Sequence, residues 1–207
     1  MPERAGSRGE HQLQRELGTE QRADRFYGRQ VLDHLNPRMR AFVSRQEMLF
    51  VATADAGGEC DASLRAGPPG FIQVLSPRTL AYPEYQGNGV MASLGNIREN
   101  PHIGLLMIDF VEDVIGLHVN GRAQTAGDAA LRATHPVAVP DRTAGRAPKR
   151  WVVVSVVEAY IHCSKHIPRL VRPSPGDGWG EQSRRGSGDY FQARDTPRPW
   201  CATPAAR

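Results

Sequence analysis

The sequence predicts a mainly β domain, a small closed antiparallel barrel carrying peripheral helices. Three observations carry that prediction. Short apolar or alternating runs at 48–54, 59–65, 71–75, 79–85, 102–110, 115–123 and 151–163 are punctuated by Gly, Pro, Asp and Asn, giving a barrel of six strands or so. The links between the early runs are of hairpin length, too short for parallel crossovers. No GxGxxG follows the first run, which disfavours a dinucleotide-binding parallel sheet.

Taken in chain order, residues 1–18 are polar with no apolar face and are expected to be disordered. From Thr19 a helical pattern sets in through Phe26, Tyr27, Val31, Leu32 and Leu35. Asn36-Pro37 marks a second helix start, with asparagine as cap and proline at the first helical position, and Met39, Phe42 and Val43 form its apolar face. MLFVATA (48–54) ends at Asp55-Ala56-Gly57-Gly58, a hairpin turn, and 59–65 returns beside it. After Gly67-Pro68-Pro69-Gly70 the chain resumes pairing at 71–75, turns at Ser76-Pro77-Arg78 and runs back over 79–85. Gly87-Asn88-Gly89 is expected to open a helix bearing Met91, Leu94 and Ile97, which stops at Asn100-Pro101. HIGLLMIDF (102–110) reads as a strand covered on both faces. The next alternates: Ile115, Leu117, Val119 and Gly121 on one face, His118, Asn120 and Arg122 on the other. A short helix at 128–134, a Pro- and Arg-bearing loop at 137–149 and the β-branched run WVVVSVVEAYIHC (151–163) complete the core. The domain is therefore expected over 19–172, with 173–207 a C-terminal arm or tail. That arm carries Trp179, Tyr190, Phe191 and Trp200, too many aromatics for a wholly solvated tail.

Composition narrows the function classes. A chain of 207 residues, 40% hydrophobic and 23% charged, can bury one sizeable core. No stretch approaches the ~20 apolar residues of a membrane span, and Met1–Glu10 has no apolar centre for a signal peptide, so a soluble cytoplasmic protein is expected. Cys60, Cys163 and Cys201 are too scattered for a disulfide framework or a zinc site. Lys and Arg number 26 against 22 Asp and Glu, with no basic stripe, so no nucleic-acid partner is expected. The modest basic excess suits a small anionic ligand.

The candidate chemistry lies in DASLRAGPPG (61–70) and YPEYQGNGVMASLG (82–95). Ser63 and Arg65 are two apart on an extended segment, so both side chains point to one face, and a hydroxyl beside a guanidinium suits a phosphate. Asn88 and Gly89, at an expected helix start, would add backbone N–H groups. Spacing alone favours an ordinary strand connection, a solvated arginine and a plain helix start over a ligand site. His118, Asn120 and Arg122 could border a ligand or simply line an outer strand face. Tyr160, His162, Cys163, Lys165 and His166 cluster near a strand end, at spacing poor for zinc, and no metal site is expected. There is no HExxH, P-loop or Ser-His-Asp order to support a hydrolase.

The runs RAGPPGFIQVL, TLAYPEYQGNGVMASLGNIRENPHIGLLMIDF and GLHVNGRA resemble the pyridoxamine 5'-phosphate oxidase-related FMN-binding split-barrel family, in its uncharacterised bacterial branch. The resemblance spans roughly Thr19 to Arg172. It implies a six-stranded antiparallel split β-barrel, a homodimer with one FMN per subunit at the interface, and a flavin-dependent oxidoreductase acting on an unidentified small molecule. It puts Ser63, Arg65, Pro69, Gly70, Phe71, Ile72 and Tyr82 at the flavin and its phosphate, with Asn88 and Gly89 at the helix start. Where the better-known oxidases carry an Arg-Lys pair, this chain has Asn88-Gly89-Val90, and their C-terminal Arg-x-His triplet is missing, so oxidation of pyridoxamine phosphate is not implied. Two alternatives stand beside this reading: a non-catalytic flavin carrier, and a split barrel using a deazaflavin or haem, with His118, His162 and His166 as candidate axial ligands.

Overall fold

The computed structural model describes residues 5–85, 87–135, 148–172, 190–191 and 193. The chain divides into a unit ending at Val171 and a second beginning at Arg172. In the second unit the exposed rings of Tyr190 and Phe191 meet edge to face, centroids 5.0 Å apart. Trp179, Trp200, Cys201 and most of the 137–149 loop lie outside the described residues.

The first unit holds helices α1 (Arg8–Glu16), α2 (Glu20–Gln30) and α3 (Pro37–Ser44), strands β1 (Met48–Ala54), β2 (Cys60–Ala66), β3 (Gln73–Ser76) and β4 (Thr79–Glu84), helix α4 (Ala92–Glu99), strands β5 (His102–Asp109) and β6 (Ile115–Ala126), helix α5 (Asp128–Thr134) and strand β7 (Arg150–His162). The expectation of disorder over 1–18 is corrected by α1. Ser7 accepts from the Glu10 backbone N–H at 3.1 Å while the Glu10 carboxylate accepts from the Ser7 N–H, a reciprocal capping box that satisfies two donors helices otherwise leave open. α1 buries no residue, and its Leu13 and the following Leu17 are exposed. At α3, Asn36 Oδ1 accepts from the Met39 N–H at 2.9 Å with Pro37 behind it, as expected.

The strands form one antiparallel sheet in the order β2-β1-β5-β6-β7-β4-β3. It is a split barrel with seven strands where six were expected, and the 71–75 run appears as the short β3. It is not closed: β2 and β3 are the two edges and do not pair, so a seam separates β2 from the β3–β4 hairpin. The sheet wraps one core in which Leu49, Val51, Phe71, Tyr82, Leu105, Met107, Val119, Val152 and Val154 are all within 1% of full burial. At 25 cal/mol per Å², burying such side chains contributes about 1.5–3 kcal/mol each for the aliphatic ones.

Strand β7 shows how the barrel bends. Its main-core positions are even from Val152 to Val156 and odd at Ala159, because Val157 is an extra residue: Gly121 opposes Val156 while Asn120 opposes Glu158. Gly121 permits this. A Cβ there would sit 2.2 Å from the Ser155 carbonyl oxygen.

Candidate functional site

Strand β2 alternates strictly, with Asp61, Ser63 and Arg65 turned inward and Cys60, Ala62, Leu64 and Ala66 exposed. The inward row faces the 87–91 loop and the first turn of α4, which packs on β1, β2 and β6 and is pinned by a 3.1 Å hydrogen bond from Asn96 Nδ2 to Thr53 Oγ1 on β1. Between them lies a cleft of about 510 Å³, lined by all three inward residues, Glu84, the 87–91 loop and Ser93.

Of the nine residues expected at a cofactor site, four meet here: Ser63, Arg65, Asn88 and Gly89. The other five do not line the cleft. Phe71, Ile72 and Tyr82 are 0%, 2% and 0% exposed and belong to the hydrophobic core. The physical reason is the turn at 67–71: Phe71 N–H bonds the Pro68 carbonyl at 3.0 Å, which swings the ring inward over Gly67. Pro69 and Gly70 sit on the outer side of that turn, Gly70 at φ +87°. The helix expected from Gly87 begins instead at Ala92, because Met91 holds a left-handed φ of 58° and no side chain caps the helix. Asn88 is spent within the loop, its Oδ1 accepting from the Val90 N–H at 3.0 Å.

The polar side chains of the cleft form a closed network. Arg65 Nε donates to Glu84 Oε1 at 2.8 Å, NH1 to the Leu64 carbonyl at 3.2 Å and NH2 to Ser93 Oγ at 3.4 Å. Ser93 Oγ donates to Asp61 Oδ2 at 3.0 Å and lies 3.0 Å from Ser63 Oγ. Asp61, Glu84 and Ser93 were not singled out in the sequence. Asp61 had a legible signal, since it continues the Ser63–Arg65 alternation by one step; Glu84 did not, because it arrives from β4 across the unpaired seam. The cleft thus carries two carboxylates against one guanidinium. Beneath it the Tyr82 hydroxyl is buried without a hydrogen-bond partner, and burial, reinforced by the Glu84 carboxylate and opposed by Arg65, pushes its pKa upward.

A second polar group occupies the outer face of β6 and β7. His118 Nε2 and His162 Nδ1 lie 2.9 Å apart, and His118 stacks on Tyr160 with centroids 4.7 Å apart. Asn120 Nδ2 donates to Glu158 Oε1 at 2.8 Å, and Arg122 NH1 is 3.1 Å from His102 Nε2. His118, Asn120 and Arg122 therefore share a face as expected. His166 and Cys163 are exposed, and no group of three or more metal-ligating side chains occurs among the described residues. No helix among the described residues is long and apolar enough to cross a membrane.

The profile of the Pyridoxamine 5'-phosphate oxidase family matches residues 35–163. Similar solved structures include HupZ of Group A Streptococcus (19% identical over 66% of this chain and 98% of that one, TM-score 0.44) and a putative pyridoxamine 5'-phosphate oxidase from Lactobacillus delbrueckii (21%, 62% and 95%, TM-score 0.43). HutZ, the heme storage protein from Vibrio cholerae, is 15% identical over 62% of this chain and 94% of that one, with a TM-score of 0.44. No curated protein matches. The profile match covers β1 through β7 together with α3, α4 and α5, and so takes in the whole sheet and the cleft; the chain belongs to the pyridoxamine 5'-phosphate oxidase family.

Proposed function

We propose that this protein is an oxidoreductase of the family, taking a flavin in the cleft between β2, the 87–91 loop and α4, and acting on a small molecule. The observation that carries the reading is the convergence of Ser63, Arg65, Asn88 and Gly89, far apart in sequence, on one cleft of about 510 Å³. FMN is the cofactor the family reading favours, and when bound it would supply the two-electron chemistry, so the reading requires no side-chain catalytic dyad. Its flavin and ribityl parts would be held by the residues that line the cleft, Ser63, Ser93 and the 87–91 loop among them. Its phosphate does not fit while Glu84 holds Arg65, because two carboxylates outweigh the one guanidinium.

A homodimer completes this reading. Phe50 and Leu64 are 39% and 51% exposed and sit directly opposite one another on β1 and β2, with Leu106 of β5 next in the row. An apolar stripe across three strands is an economical surface for a second copy. Light scattering on the purified protein is expected to give twice the monomer mass, and a monomer would remove the interface from the proposal.

The deciding experiment is the absorption spectrum and mass of the small molecule released on denaturing the purified protein. Flavin absorption supports the proposal. A Soret band overturns it in favour of haem at the His118–His162 pair, the arrangement among the described residues that favours a second reading. Oxidation of a reductant by the loaded protein then separates an enzyme from a flavin carrier.

A further inference from the structure

We propose that Glu84 is the specificity-determining residue of the cleft: by occupying Arg65 it excludes phosphorylated ligands, and neutralising it turns the cleft into a phosphate site. The inference rests on the cleft being the ligand site, as proposed above, and deepens that reading by naming which ligands it admits.

The geometry is that of a filled anion site. Every nitrogen of the Arg65 guanidinium already has an acceptor within the chain, and the best of the three bonds, at 2.8 Å, goes to Glu84. The pair is largely withdrawn from water, the two side chains being 19% and 11% exposed. Glu84 is held from its backbone as well, its carbonyl accepting from the Lys149 N–H at 2.8 Å, so the carboxylate is delivered to Arg65 by a strand and not by a loose loop. A phosphate entering the cleft would meet an Arg65 whose charge is already balanced by Glu84, and would have to displace that carboxylate to gain the full charge. It would then lie near that displaced carboxylate and near Asp61, with like charges on two sides. Ser93 gives no relief, because its hydroxyl hydrogen is directed to Asp61 Oδ2. A flavin lacking the phosphate meets none of these costs.

The test titrates the full chain with FMN, with riboflavin and with inorganic phosphate, reading flavin fluorescence for the first two and calorimetry for the third. For the wild type, FMN is expected to bind no tighter than riboflavin. Glu84→Gln keeps the side-chain shape and removes the charge; it is expected to raise the FMN-to-riboflavin affinity ratio roughly ten- to hundredfold, the range of one charge-assisted hydrogen bond, and to give measurable phosphate binding. The double variant Glu84→Gln with Arg65→Met is expected to lose that gain. An unchanged ratio in Glu84→Gln, or a wild type that prefers FMN by tenfold or more, would overturn the proposal. Glu84→Ala serves the same purpose should the glutamine variant melt early. If neither flavin binds any variant, the cofactor reading fails, and the phosphate titration still decides the role of Glu84.

Discussion

Phe71 separates a core residue from a cofactor contact, and truncating it tests which of the two the fold has made it. The side chain is fully buried and packs over Gly67 within the main hydrophobic cluster. An aromatic side chain buries 150–250 Å², which at 25 cal/mol per Å² amounts to about 4–6 kcal/mol; allowing for residual compactness of the unfolded chain brings this to about 3–5 kcal/mol. That matches the usual range for removing a buried phenylalanine. Against a total stability of about 5–15 kcal/mol it is a large fraction. Phe71→Ala should therefore lower the urea midpoint by about 2 M with an unchanged slope, followed by circular dichroism. Its flavin affinity, measured where the variant is folded, should stay within about twofold of wild type, since no cleft contact is lost. A destabilisation below about 1 kcal/mol together with loss of flavin binding would refute the assignment and return Phe71 to the cofactor.

Three further outcomes follow from the same geometry. Gly121→Ala places a methyl 2.2 Å from the Ser155 carbonyl oxygen in the β6–β7 bulge, and because that neighbour is backbone and not the end of a flexible side chain, soluble yield or melting temperature should collapse; a normal melting curve would show that the bulge relaxes freely. At Asp109, burial pushes the carboxyl pKa up, but N–H groups of Glu112, Val111 and Asp113, with Arg45, outweigh it and hold the pKa below 3.8; its stabilisation is present above 3.8 and disappears as pH falls through the lower folded value, so Asp109→Asn should cost about 1 kcal/mol at neutral pH and flatten the acid limb of stability against pH. His118 acts in the same direction in a higher pH window: burial and His162 lower its pKa from 6.5 against a weaker pull from Glu158, so the unfolded chain takes the proton first, stability falls as pH drops below 6.5, and His118→Gln should reduce that slope, an unchanged slope contradicting the shift.

Much of the fold was legible because its signals are local. Alternation in 115–123, the Asn36-Pro37 cap and the β-branched run of β7 each specify their own backbone, and all three appear where the residue pattern put them. What escaped was of two kinds. The Ser7–Glu10 capping box is itself a local signal, masked by the polarity around it: a helix without an apolar face reads as disorder unless its cap is noticed. Closure of the barrel, in contrast, is a tertiary matter. Nothing in 60–66 or 73–76 states whether these two edges will meet, and they do not.

The cleft divides along the same line. Expectation of an anion site counted donors: an arginine, a hydroxyl, glycines before a helix. Four of the residues it named line one cleft. What a local reading cannot supply is the sum of charge, because it depends on which carboxylates gather round Arg65: Glu84 pairs with it directly from a strand that never pairs with β2, and Asp61, four residues upstream on the same face, is linked to it through Ser93. The open seam is what brings Glu84 there. With no backbone ladder between β2 and the β3–β4 hairpin, the two halves of the sheet are joined at this point by side chains, and a largely buried arginine at such a joint requires a carboxylate whether or not a ligand ever arrives. The ion pair therefore has a structural reason to exist that is independent of any cofactor. For that reason the phosphate preference of this chain turns on Glu84 as much as on Arg65.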